Sequence, residues 1–140
     1  MLRIELLGWE RARAEASRIR LRVFVDEQRV PPEIEMDDMD AASVHALAYA
    51  DGKAVGTGRL LPDGRIGRMA VLRENRQRGV GSAILARLVE EARRRGLAQA
   101  VLSAQTHALA FYRRHGFAEQ GGIYEEAGIP HQQMRRALNS

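Results

Sequence analysis

The chain has no cysteine. That lack excludes a disulfide framework, a thiolate metal site and a cysteine nucleophile, and it favours a cytoplasmic setting. Aromatic residues are scarce too: three Phe, three Tyr and one Trp are few for a surface on which bases stack, so no nucleic-acid partner is expected. No run approaches the ~20 apolar residues of a membrane span, and the stretch from Met1 to Glu5 lacks the apolar region of a signal peptide, so no membrane partner is expected either. His45, His107 and His115 follow no metal-ligand spacing, and no metal is expected. Internal repeats, low-complexity segments and linker-like stretches are also missing, which predicts a single domain over residues 1–140.

What the chain does have is charge and periodicity. Of its 140 residues 45% are apolar and 29% charged, with a net charge of +4. The positive side is almost entirely arginine, whose guanidinium suits bidentate contacts with phosphate oxygens. Arg3 to Leu7 reads as a strand, and Ala12, Ala16, Ile19 and Val23 recur at helical spacing after it. Pro31-Pro32 then breaks the helix, and the acidic run Glu33, Glu35, Asp37, Asp38, Asp40 is expected in a loop or a short second helix. His45 to Ala50, Lys53 to Leu61 and Arg65 to Val71 are strand-like runs joined by Asp51-Gly52 and Pro62-Asp63-Gly64, which predicts an antiparallel three-strand meander. Ile84, Leu85, Leu88, Val89 and Ala92 mark one face of a further helix, with Glu90/Arg94 and Glu91/Arg95 as pairs on its other sides. Leu97 to Ser103 returns as a strand, completing a βαβ unit. Thr106 to His115 is a second amphipathic helix, and a turn through Gly128-Ile129-Pro130 leads to a last strand near Gln133 to Leu138.

Between the third meander strand and the helix lies Arg76-Gln77-Arg78-Gly79-Val80-Gly81-Ser82. Two close glycines let backbone N–H groups converge without Cβ obstruction, and the first helical turn adds unpaired donors at the positive end of its dipole. This is an anion cradle in outline, suited to a pyrophosphate. A P-loop would need a lysine after its second glycine, and a dinucleotide fingerprint would need a small residue where Ile84 stands; neither pattern is met.

The spacing that is met is RxxGxG, Arg76 through Gly81, and here the sequence resembles the GCN5-related N-acetyltransferase (GNAT) family, whose acetyl-CoA signature is [QR]xxGx[GA]. The resemblance continues through Gln105 to Phe117, similar to that family's NxxAxxxY...GF segment. Leu21 to Pro31, the acidic run, and Ala127 to His131 with Met134 are similar to its YjcF-like or ElaA-like branch. Arg73 stands where many members have proline, and Gln105 where many have asparagine. The resemblance implies an α/β (α+β) fold: a mixed twisted sheet of about seven strands, antiparallel meander then βαβ, flanked by about four helices. It also implies acetyl-CoA as co-substrate and a small-molecule or peptide amine as acceptor.

By that resemblance the main chain of Met69, Ala70 and Val71 aligns the pantetheine arm and donates to the oxyanion, Arg76, Gln77, Arg78, Gly79, Val80, Gly81 and Ser82 hold the pyrophosphate, and Gln105 adds an amide. Tyr112 matches the tyrosine that protonates the departing thiolate, for which a neutral hydroxyl is ready at pH 7 because phenols ionise near ~10. Glu27, Glu35, Asp37, Asp40, Glu125 and His131 are candidates for removing the amine proton, with His131 and Glu35 preferred. A water chain is a further route. A non-catalytic CoA-binding module and an arginine-rich nucleic-acid binder are the alternatives. A homodimer through the C-terminal strands or sheet edges fits the same pattern.

Overall fold

The computed structural model describes residues 1–32 and 37–138. Its strands form one seven-stranded sheet, β1 (Leu2–Leu7), β2 (Val44–Ala50), β3 (Lys53–Leu60), β4 (Arg65–Val71), β5 (Gln99–Gln105), β6 (Ala118–Glu126) and β7 (Ile129–Ala137), in the order β1-β2-β3-β4-β5-β7-β6. Every neighbouring pair is antiparallel except β4 and β5. Asp51 and Gly52 both have positive φ (52° and 81°), the conformation that a two-residue hairpin turn demands, so the expected meander forms. The described residues contain three α-helices rather than about four: α1 (Trp9–Arg20), α2 (Val80–Arg94) and α3 (Leu109–Arg114). The acidic stretch of the expected short helix falls partly in residues 33–36, outside the described residues, and Asp40–Ala42 is a 3₁₀ turn.

Three local differences have physical causes. After α1 the chain continues as a π-helical segment, Leu21–Glu27, in which the N–H of Gln28 reaches the carbonyl of Val23 at 3.0 Å. The expected helix from Thr106 splits into a 3₁₀ turn, Thr106–Ala108, and the six-residue α3. Finally, the last hairpin turns at Ala127-Gly128, both at positive φ (53° and 76°), so β7 already begins at Ile129. Pro130 is tolerated there because β5 pairs no further along β7 than His131.

Helix α2 supplies much of the core: Ile84, Leu85, Leu88, Val89 and Ala92 are buried against the meander. On its other sides Glu91 pairs with Arg95, while Glu90 pairs with Arg93 rather than Arg94, and Arg94 turns to Glu91. Two meander glycines let α2 approach closely. A Cβ at Gly58 would stand 2.9 Å from Ile84 Cγ2 and 3.0 Å from Leu88 Cδ1. Gly58→Ala is therefore expected to lower stability by about 1–3 kcal/mol in chemical denaturation, an overpacking cost, with the m-value unchanged.

Candidate active site

Strands β4 and β5 pair only at Arg65–Val101 and Ile66–Leu102, so they separate toward their carboxyl ends. A register shift in β3 opposite β4, between Thr57 and Arg59, accompanies the separation, and Arg68 adopts φ 50° beside it. The N–H of Leu72 bonds to Val55 at 2.9 Å. Antiparallel alternation then sends the N–H of Ala70 to β3 and that of Val71 into the gap.

The gap opens into two adjoining chambers. The larger, about 1050 Å³, is lined by Met69, Ala70, Val71, Arg76, Gln77, Gly79, Val80, Gly81, Ser82 and Gln105, which is every expected CoA-contacting residue except Arg78. The smaller, about 420 Å³, is lined by Phe24, Leu102, Glu126 and His131 among others. Met69, Gln28, Gln105, Ala108 and Tyr112 belong to both walls. The π-helical segment brings Phe24 and Glu27 here, a use of a widened turn that no apolar periodicity announces.

The cradle's backbone has the shape an anion requires. Gln77 and Gly79 both take positive φ (64° and 80°). Gly79 precedes α2, no side chain caps that helix, and its first intrahelical bond is from Ala83 to Gly79. Among the described residues nothing accepts from the N–H groups of Val80, Gly81 and Ser82. A Cβ on Gly79 would meet nothing within 4 Å, so the cradle's approach is open. These features fit a pyrophosphate.

Arg76 is placed differently from the simple expectation of a phosphate contact. Its Nη1 and Nη2 donate to the Glu27 carboxylate at 2.6 and 2.8 Å, and its Nε donates to the Val71 carbonyl at 2.9 Å. The guanidinium thus ties the cradle to the end of β4 and to the π-helical segment. Hydrogen bonding from Arg76 holds the Glu27 carboxyl below the usual range, which makes it a poor base. Arg114, which sequence reasoning missed, lines the larger chamber and has no ion-pair partner among the described residues. Its signal was its position two residues after Tyr112 at the end of a basic helix.

Tyr112 packs edge-on against Phe111 and Phe117, and its hydroxyl has no hydrogen-bond partner among the described residues. Burial pushes its phenol up to about 12. His131 is buried, and its Nδ1 lies 2.7 Å from the Ile129 carbonyl. An Nδ1–H donated there leaves Nε2 as an acceptor. Gln105 already exchanges hydrogen bonds with Gln28 (2.9 Å) and His107 (2.6 Å). His115 Nε2 lies 3.0 Å from Ser82 Oγ, joining α3 to the cradle.

The remaining candidate bases fall elsewhere. Asp37 and Asp40 line neither chamber. Asp37 accepts two bonds of 2.8 Å from Arg59 and one of 3.1 Å from Arg68, and the Arg59 bonds hold its carboxyl far below the usual range. Asp40 bridges Arg20 and Arg59 at 3.0 and 2.9 Å. Glu125 is exposed on β6 and Glu35 lies outside the described residues. The described residues contain no cluster of His, Asp and Glu suited to a metal, and no helix among them is long and apolar enough to cross a membrane.

A family model for the acetyltransferase (GNAT) domain matches residues 12–138. The chain belongs to the GNAT acetyltransferase family. Similar to this GNAT chain at 39% identity is a Bacillus subtilis (strain 168) protein named as an uncharacterized N-acetyltransferase, YjcF, over 87% of this chain and 90% of that one. The crystal structure of an acyl-CoA N-acyltransferase from Pseudomonas aeruginosa is 34% identical, with a TM-score of 0.83, covering 98% of this chain and 100% of that one. Escherichia coli ElaA is 27% identical with a TM-score of 0.87, covering 97% and 99%. The YjcF-like or ElaA-like resemblance read from the sequence therefore stands on both sequence and fold.

Proposed function

We propose that this GNAT chain transfers an acetyl group from acetyl-CoA to a primary amine by direct attack in a ternary complex, and does so in the cytoplasm. The observation that carries the reading is the pair of adjoining chambers that share Tyr112, one bordered by the anion cradle and the other by His131. Bound acetyl-CoA supplies the thioester carbonyl. The N–H groups of the first α2 turn and the αL backbone of Gln77 and Gly79 hold its pyrophosphate, with the free guanidinium of Arg114 adding charge. The Val71 N–H donates to the oxygen that gains negative charge as the amine adds. His131 Nε2 takes the amine proton, directly or through a water, and Tyr112 gives its own proton to the departing thiolate. The C–S bond breaks as the C–N bond completes, the sulfur leaves as the CoA thiol carrying the Tyr112 proton, and exchange with solvent then returns a proton to the tyrosinate and removes one from His131. The mechanism needs no metal.

The test is thiol release from acetyl-CoA across amines of several classes. Release with any class supports transfer; acetyl-CoA binding with no release from any class would leave a CoA-binding module without catalysis. His131→Gln is expected to lower kcat/KM by about 10²-fold, the scale of a general base, with acetyl-CoA affinity unchanged within about twofold. Retention of the parent kcat/KM in the variant would assign the proton to another group.

A further inference from the structure

We propose, building on the acetyl-transfer reading, that the acceptor is a primary monoamine carried on an apolar arm. The smaller chamber decides this by what its polar groups have left to offer. Gln28, Gln105 and His107 bond to one another. Ser103 is bonded to the Tyr124 hydroxyl. Arg68 is paired with Asp37 at 3.1 Å. His131 gives its Nδ1–H to Ile129. Three groups on the wall stand apart from these pairings: the Tyr112 hydroxyl, which the transfer reading commits to the departing sulfur, the Glu126 carboxylate, which has no ion pair among the described residues, and His131 Nε2.

An anion at the wall draws an ammonium, and a free imidazole nitrogen can then take its proton. Phe24, Val30, Ile66, Met69, Leu102 and Ile129 complete the wall with apolar surface. An amino sugar or a peptide brings hydroxyls or amides that would be buried against partners already engaged, which is costly. A polyamine brings further cations, and Glu126 answers only one. The volume of about 420 Å³ lies near the lower end for small-molecule sites, so a compact alkyl or arylalkyl amine fits best.

The experiment measures thiol release at saturating acetyl-CoA for propylamine, hexylamine, phenethylamine, glucosamine, spermidine and a lysine peptide, with acetyl-CoA affinity measured separately by calorimetry. Expected is kcat/KM rising about three- to fourfold per methylene from propylamine to hexylamine, the partitioning of a CH₂ into an apolar wall. Phenethylamine should be comparable with hexylamine and the three polar acceptors at least tenfold slower. Phe24→Ala should lower kcat/KM for hexylamine about tenfold while acetyl-CoA affinity, a readout of intact folding, stays within twofold. Glu126→Gln should raise KM for hexylamine about tenfold. A preference for glucosamine, spermidine or the peptide, with acetyl-CoA bound and turned over, overturns the acceptor class alone, as does an unchanged KM in Glu126→Gln. Failure to bind acetyl-CoA overturns the transfer reading and this inference with it.

Discussion

Tyr112→Phe is expected to lower kcat by about 10³-fold while leaving acetyl-CoA affinity within about twofold, since a general acid contributes roughly 10²–10⁴-fold. The substitution keeps the aromatic ring and its edge-on packing with Phe111 and Phe117, so the loss reports the hydroxyl rather than the fold. Tyr112 lines both chambers, and its hydroxyl has no competing hydrogen-bond partner among the described residues, which fits a donor to the departing sulfur. Burial holds the phenol up to about 12, so it stays protonated through the working range. The rate therefore should show no falling limb from tyrosine ionisation below about pH 10, where an ordinary phenol would titrate. Stopped-flow or steady-state kinetics with a saturating amine check both statements. A variant as fast as the parent would remove Tyr112 from the chemistry.

The largest expected stability effect lies away from the chambers. Asp40 bridges Arg20 and Arg59, and the side-chain exposures of the three are 12%, 3% and 7%. His45 Nε2 also lies 2.9 Å from the Asp40 carbonyl, which binds the 3₁₀ turn to β2. Asp40→Asn keeps the shape and removes the carboxylate charge that faces the buried Arg20 and Arg59 guanidinium groups, of which Arg59 keeps its bonds to Asp37. Breaking a buried pair in this way costs about 3–5 kcal/mol, measurable as a drop in the denaturation midpoint. The pH dependence gives the sign. Burial raises the Asp40 carboxyl, but bonds and charge from Arg20, with Arg59, outweigh it, and its pKa is lowered. A carboxyl depressed on folding contributes stability above its unfolded value near ~3.9 and loses it as pH falls through the folded value. The difference between parent and Asp40→Asn should thus be full at neutral pH and shrink below about pH 4. A constant difference down to pH 2 would show that packing, not charge, is lost.

What the sequence discloses follows from the range of the interactions involved. The Asp51-Gly52 hairpin, the α2 stripe and the cradle depend on neighbours within a few residues, and each is legible in the residue pattern. The Arg76 clamp joins residues 49 apart in the chain, so no local pattern separates an arginine that binds phosphate from one that braces the loop. The same holds for Asp37 and Asp40, which look like free carboxylates in an acidic run but are held by Arg59 and Arg20 from distant elements. The shift of the last turn from Gly128-Ile129-Pro130 to Ala127-Gly128 has another origin. An alanine at φ 53° is an uncommon turn former, and the proline drew attention in its place. The π-helical segment is hidden because apolar spacing does not distinguish i−4 from i−5 bonding over so few residues. His131 was legible as one of six candidate bases, preferred together with Glu35, whereas its burial and its place on the wall of the smaller chamber depend on the packing of distant elements.

The central claim is that the gap between β4 and β5, with the cradle at its mouth, is an acetyl-CoA site. Calorimetric titration of acetyl-CoA into the folded chain tests it most directly. The expected result is one saturable site with a micromolar Kd, weakened at least tenfold in Gly79→Val, since a β-branched residue at φ 80° is strained by roughly 1–2 kcal/mol and tilts the cradle's donors. No binding by the folded parent chain at millimolar acetyl-CoA would contradict the claim.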